Sequence, residues 1–125
     1  MSEAKEKITD TELEVMQILW ETEAPMTLAQ IKAALSGRNG DTIKTLLRRL
    51  CQKGAVAQEK REVYYYRPLV GKEELGSYRI KKLIDRLYAG SAKALTATLV
   101  RTEQLKQHDL EELQEMFSSL WEEEK

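Results

Sequence analysis

The chain has 125 residues, 42% hydrophobic and 33% charged, with a formal net charge of −1 and a single cysteine. That length holds one modest core with room for a small appendage. No apolar run approaches the roughly 20 residues of a membrane span, MSEAKEK lacks a secretory hydrophobic region, and Cys51 alone excludes an internal disulfide, so a cytoplasmic protein is expected.

Thr9-Asp10-Thr11-Glu12 is a capping box, with Ile8 and Leu13 spaced for a hydrophobic staple. It opens a helix carrying Leu13, Met16, Leu19 and Trp20, expected to end near Glu23 before Pro25. Thr27-Leu28-Ala29-Gln30 repeats the box, and Met26 with Ile31 repeats the staple. This second, short helix carries Leu28, Ile31 and Leu35 and is expected to stop at Ser36-Gly37, the glycine taking a left-handed cap. Arg38-Asn39-Gly40 then turns the chain into a third helix, with Asn39 or Asp41 as N-cap and Gly54 as its stop.

In the third helix Ile43, Leu46, Leu47 and Leu50 fall at i, i+3, i+4 and i+7, a stripe for burial. At about 100° per residue, Asp41, Thr45, Arg48 and Gln52 cluster on the opposite side, flanked by Thr42, Lys44 and Arg49. Short hydroxyls, an amide and basic side chains on one face can hydrogen-bond base edges in a major groove and neutralise phosphates.

After Gly54 the period changes. Ala55 to Glu59 and Val63 to Arg67 are expected as two strands joined by a turn around Lys60-Arg61, with Pro68 closing the second. Three helices followed by a basic-tipped hairpin is the order of a winged helix-turn-helix, in which the third helix enters the major groove. The hairpin tip then lies along the phosphates or minor groove, a role suited to Lys60 and Arg61. Tyr64, Tyr65 and Tyr66 alternate faces, so at least one belongs to the core.

The remainder is helical. Ile80, Leu83, Ile84 and Leu87 make another stripe, ending at Tyr88-Ala89-Gly90, and Ser91 can cap a short helix through Ala94, Leu95 and Leu99. Leu110, Leu113, Phe117 and Leu120 form a two-heptad seam in the last helix, with Met116 and Trp121 beside it. That apolar surface either packs on its own chain or pairs with a second copy. Pairing is preferred, through Ile84, Leu87, Leu110, Leu113, Phe117 and Leu120, because two-fold pairing doubles a short DNA site. The expected architecture is mainly α with a small β-hairpin. Residues 1–70 form the winged helix-turn-helix DNA-binding domain and residues 71–125 a helical dimerisation domain.

The charge is segregated along the chain. Residues 1–36 carry 3 basic and 7 acidic side chains, residues 37–70 carry 8 and 3, residues 71–102 carry 7 and 3, and the remainder 2 and 8. A basic middle between acidic ends is also compatible with solvated helix faces. Its coincidence with the Thr/Arg helix and the hairpin favours an electrostatic footprint for nucleic acid.

The opening ITDTELEVMQILW, the helix DTIKTLLRRLCQKG and the hairpin ending VYYYRP resemble the penicillinase-repressor family of bacterial regulators, the BlaI, MecI and CopY type, and more closely its BlaI and MecI branch. The likeness runs from about Ile8 through LIDRLYAGS to the final helix. The resemblance implies a dimeric winged-helix repressor of resistance or stress-response genes on palindromic operators with TACA-type half-sites. It places recognition contacts on Thr42, Lys44 and Thr45, with Arg48 close by. The family usually has Ser-Pro-Lys where this chain has Asn39-Gly40-Asp41; a carboxylate there repels phosphate or accepts from a cytosine amine. In β-lactam-responsive members a sensor protease cleaves an Asn-Phe bond, and the aligned pair here is Thr98-Leu99. Copper-responsive members end in Cys-x-Cys pairs, whereas this chain ends SSLWEEEK.

No glycine-rich phosphate loop, HExxH or nucleophile–histidine pairing is present, so no enzyme, catalytic residue, metal site or cofactor is expected. Cys51 reads as a small core residue at the edge of the buried stripe, and His108 as an exposed residue at a helix start. The main reading is an operator-binding homodimer, with a regulatory protease or sensor as a further partner. Two others remain: a small-molecule-sensing winged-helix regulator, and a helical adaptor whose basic face binds an acidic protein.

Overall fold

Capping chemistry sets the first elements. A computed structural model describes residues 2–124. Helix α1 (Ser2–Lys7) precedes α2 (Asp10–Trp20), whose N-cap Thr9 accepts from the Glu12 N–H while the Glu12 carboxylate accepts from the Thr9 N–H. The same reciprocal pair, Thr27 with Gln30, opens α3 (Leu28–Ala34). Asn39 caps α4 (Gly40–Gln52) by accepting from the Thr42 N–H, which settles the cap in favour of Asn39 over Asp41.

Two helix ends differ from the sequence reading. Helix α2 closes at Glu21 rather than Glu23, because the Glu21 N–H bonds the Gln17 and Ile18 carbonyls and ends the ladder. Gly37 does not take the left-handed region; α3 ends instead on Leu35 (φ −111°, ψ 58°), and the Arg38 N–H bonds the Leu35 carbonyl. Gly54 does take it, at φ +79°, and stops α4.

The sheet has three antiparallel strands in the order β1-β3-β2: β1 (Met26–Thr27), β2 (Val56–Lys60) and β3 (Tyr64–Pro68). The hairpin register pairs Val56 with Pro68 and Lys60 with Tyr64. The strands therefore sit one residue later than the sequence reading, and the turn is Arg61 to Val63, closed by the Arg61 N–H on the Val63 carbonyl. Lys60 ends a strand; Arg61 alone of the two lies in the turn. Strand β1, two residues long, pairs Met26 with Tyr66 and Thr27 with Tyr65.

The core is built by the stripe foreseen for the third helix. Ile43, Leu46, Leu47 and Leu50 of α4 pack with Val15, Met16 and Leu19 of α2, Ile31 of α3, and Ala55, Val56 and Tyr66 of the sheet. Tyr66 is the tyrosine that goes inside, while Tyr64 is exposed. Trp20 donates its indole N–H to the Val70 carbonyl at 2.8 Å, pinning the end of α2 to the segment after the sheet. The result is a winged helix-turn-helix preceded by one extra short helix.

Helix α5 (Lys72–Leu87) begins within the same body. Leu75 is buried, Arg79 donates to the Ile8 carbonyl, and Glu74 pairs with Lys5 at 2.8 Å. The first compact unit runs through Ile80, and the second begins at Lys81. The second unit holds the end of α5, then α6 (Ala92–Arg101), capped by Ser91 accepting from the Ala94 N–H, and α7 (Gln107–Glu124). Among the described residues none after Leu75 is fully buried.

Candidate nucleic-acid interface

Helix α4 is fixed on one side by its apolar stripe, and this leaves the other side free. Thr42, Lys44, Thr45, Arg48 and Arg49 all lie outside the core, with Lys44, Arg48 and Arg49 exposed. Two further contacts hold the helix at its ends. Before its N-cap, Arg38 donates two parallel bonds to the Glu14 carboxylate, at 3.0 and 2.7 Å, tying the α3–α4 turn to α2. At its C-terminal end, Lys53 donates to Glu12 at 2.6 Å and to the Lys7 carbonyl at 2.7 Å.

The exposed side of α4 is a ridge between two clefts. On one flank Asp41, Thr42, Thr45 and Arg49 line a cleft of about 570 Å³ with Thr9 and Thr11. On the other, Lys44, Arg48 and Gln52 line one of about 540 Å³ with Cys51, Gln58 and Tyr66. Among the described residues no acid pairs with Lys44, Arg48 or Arg49. The Thr45 hydroxyl donates to the Asp41 carbonyl at 3.0 Å, so its donor is spent within the helix and its methyl is the group left to the ridge.

The two other predicted cations lie on the wing. Lys60 stands over the Tyr64 ring at 5.9 Å and Arg61 over the Tyr65 ring at 4.7 Å, which orders both side chains. Arg61 is also 3.4 Å from Glu59, so its charge is partly offset and Lys60 is the freer cation of the pair. The sequence reading overlooked Gln58, whose amide N–H donates to the Tyr66 hydroxyl at 3.3 Å in the cleft wall, and Thr9 and Thr11 beside α4. No local signal marks them, because strand pairing and helix packing bring them in.

The remaining predicted residues lie elsewhere. Ile84 and Leu110 are half-buried, and Leu87, Leu113, Phe117 and Leu120 are exposed, as are Met116 and Trp121. Phe117 and Trp121 stack with ring centroids 6.3 Å apart. Cys51 is half-buried, packed against the edge of the core and lining a cleft wall, and burial pushes its thiol pKa up. Among the described residues no cluster of His, Cys, Asp or Glu could hold a metal ion, and no helix is long and apolar enough to cross a membrane.

Comparison with known proteins gives a consistent result. The sequence model of the penicillinase repressor family matches residues 8–119. The penicillinase repressor of Bacillus licheniformis is 28% identical over 114 residues, 89% of each chain. That of Staphylococcus aureus is 24% identical over 127 residues, 96% of this chain and 98% of its own. The solution structure of the DNA-binding domain of the repressor BlaI is 30% identical over 54% of this chain and 87% of that one, with a TM-score of 0.48.

Proposed function

Because the chain belongs to the penicillinase repressor family, a family of transcriptional regulators, we propose that it represses transcription in the cytoplasm by binding a palindromic operator as a homodimer. One observation carries the reading most directly: an exposed ridge bearing Lys44, Arg48 and Arg49 without acidic partners, set beside a wing that ends in Lys60 and Arg61. Cations left unpaired on a convex helix have no structural task in the fold and match the phosphates that border a major groove.

In this reading α4 enters the groove. Arg48 and Arg49 hold phosphates, Lys44 reaches a base edge or phosphate, and Thr42 and Thr45 set register against base edges, Thr45 through its methyl. Lys60 and Arg61 follow the backbone at the flank. The apolar faces of the second unit meet those of another copy, through Ile84, Leu87, Leu110, Leu113, Phe117 and Leu120. The pair then sets two α4 helices about 34 Å apart, one turn of duplex. A unit with exposed Phe117, Leu120 and Trp121 and no fully buried described side chain supports the pairing.

The test is fluorescence anisotropy on a palindromic TACA/TGTA duplex and a scrambled duplex across a salt series. A preference of roughly a thousandfold, with a steep negative salt slope, is expected. Thr45→Ala should reduce the preference, and Arg48→Ala should weaken both duplexes alike. Equal weak binding to every duplex, including those recovered by selection from genomic fragments, would remove the repressor reading.

A further inference from the structure

A third cleft, of about 460 Å³, lies between α3, α4 and the wing, and its walls differ from those beside the α4 ridge. Leu28 and Ala29 of α3 form one side, and Val63, Tyr64 and Tyr66 the other. Tyr64 and Tyr66 are two apart on β3, so their rings stand on the same side of the strand. The Thr27 hydroxyl at its edge is already engaged as the N-cap of α3. Lys44, which lines the cleft, has no acidic partner among the described residues, and outside the lining the Lys60 ammonium sits 5.9 Å over the Tyr64 ring. No acidic residue lines the cleft.

An apolar, tyrosine-walled slot with uncompensated positive charge at its mouth is complementary to one kind of small molecule. We propose that it binds an aromatic carboxylate, the ring between Tyr64, Val63 and Leu28 and the carboxylate on Lys44. The volume accommodates a two-ring compound, within the range of small-ligand sites. The acceptor oxygens satisfy a donor that the protein leaves open, and the flat ring removes the exposed faces of Val63 and Tyr64 from water.

The consequence for regulation rests on the operator-binding reading above. Lys44 cannot hold a carboxylate and a phosphate or base at once, so ligand and DNA exclude each other. Linkage makes that exclusion reciprocal.

The probe is 2-naphthoate, titrated into the full chain and followed by amide chemical shifts. Saturable shifts at Leu28, Ala29, Val63 and Tyr64 are expected, with an affinity of roughly millimolar for a fragment of that size. Lys44→Met should weaken binding about tenfold or more, as should replacing the probe by the neutral 2-naphthalenemethanol. Ala29→Leu, which fills the slot without touching its charge, should abolish the shifts while leaving the spectrum folded. Equal binding of the acid and the alcohol, or equal binding by wild type and Lys44→Met, overturns the proposal, as do shifts confined to other residues. On an operator duplex, 2-naphthoate should lower wild-type affinity and leave Ala29→Leu unchanged. These ligand arms read out whether or not the chain binds DNA, so the two readings fail separately.

Discussion

Lys53 and Glu12 form a 2.6 Å ion pair at the one charged side chain that, among the described residues, the core encloses, Glu12 being 1% exposed. The pair joins the C-terminal end of α4 to the first turn of α2, and Lys53 adds a bond to the Lys7 carbonyl. Together with Arg38 on Glu14, it holds α4 at both ends against the same helix. The ridge that faces the proposed DNA is thus positioned by polar contacts at its ends and apolar contacts along its length.

Removing one member of this pair leaves a buried charge or an unfilled donor. Glu12→Ala also frees the Thr9 N–H, and is expected to cost about 2 to 4 kcal/mol, slightly below a fully buried pair because Lys53 reaches partial solvent. Lys53→Met should cost about 1 to 3 kcal/mol. Urea unfolding of both variants reads the values. A loss under about 0.5 kcal/mol for Lys53→Met would make the contact incidental.

The same pair predicts an acid dependence. Burial pushes the Glu12 carboxyl up, but the Lys53 hydrogen bond, the Thr9 backbone N–H and the Lys53 charge together outweigh it and hold the pKa below the ordinary carboxylate value. A depressed folded pKa gives stability that is present above the unfolded value, near 4.3, and lost as pH falls through the folded one. Wild type minus Glu12→Gln should therefore shrink below about pH 4. The subtraction is needed because Glu14, held down by Arg38, and Glu74, held down by Lys5, titrate with the same sign. A difference that stays flat from pH 6 to pH 2 would deny Glu12 the role.

Gly54 offers a clean backbone test. Its φ is +79° and a Cβ there meets nothing within 4 Å, so Gly54→Ala carries strain without a clash. The expected cost is about 1 to 2 kcal/mol, seen as a lower urea midpoint at unchanged slope. An unchanged midpoint would show that α4 can end without the left-handed residue.

Asp41 is the carboxylate among cations on the ridge. Asp41→Asn should raise affinity for scrambled duplex several-fold by removing repulsion from phosphate, and should change the base preferred at one position of each half-site. The helix N-terminus loses a favourable charge, worth about 0.3 to 1 kcal/mol of stability. Selection from a random duplex library compares the two proteins. Identical consensus sequences would place Asp41 outside the reading face.

For the second unit, Leu113→Glu with Phe117→Glu should give a monomer in sedimentation and an operator affinity weaker by orders of magnitude, while the first unit stays folded. Both residues are exposed within the chain, at 43% and 65%, so the substitution disturbs no core of its own. A dimer that survives the double substitution would rule out that seam.

Signals that act within a turn or two were legible from the residues. The boxes at Thr9 and Thr27, the α4 stripe and the Gly54 stop each depend on neighbours three or four positions away, whereas the choice of Asn39 over Asp41 as cap came from the structure. Features held by distant partners were not. Strand β1 exists because Met26 and Thr27 pair with Tyr66 and Tyr65, forty residues on, and two residues carry no periodicity of their own. The hairpin slipped by one because Lys60 and Arg61 fit a turn equally well, and the cross-strand pairing of Lys60 with Tyr64 decides between them. Helix α1 is six residues long and lacks an apolar stripe; Ala4 and Ile8 dock it on the core. For the binding face, α4 supplied a helical period to read, whereas Gln58, Thr9 and Thr11 arrive by tertiary packing.

The lack of any fully buried described side chain after Leu75 bears on the fate of a newly made chain. A molecule released alone shows Phe117, Leu120 and Trp121 to quality-control chaperones and proteases, which sample open apolar segments. In the proposed dimer another copy would occupy that surface and remove the degradation signal, to an extent that follows protein concentration by mass action. On that proposal turnover is expected to be steepest where the chain is scarcest, with the standing pool a threshold rather than a graded supply.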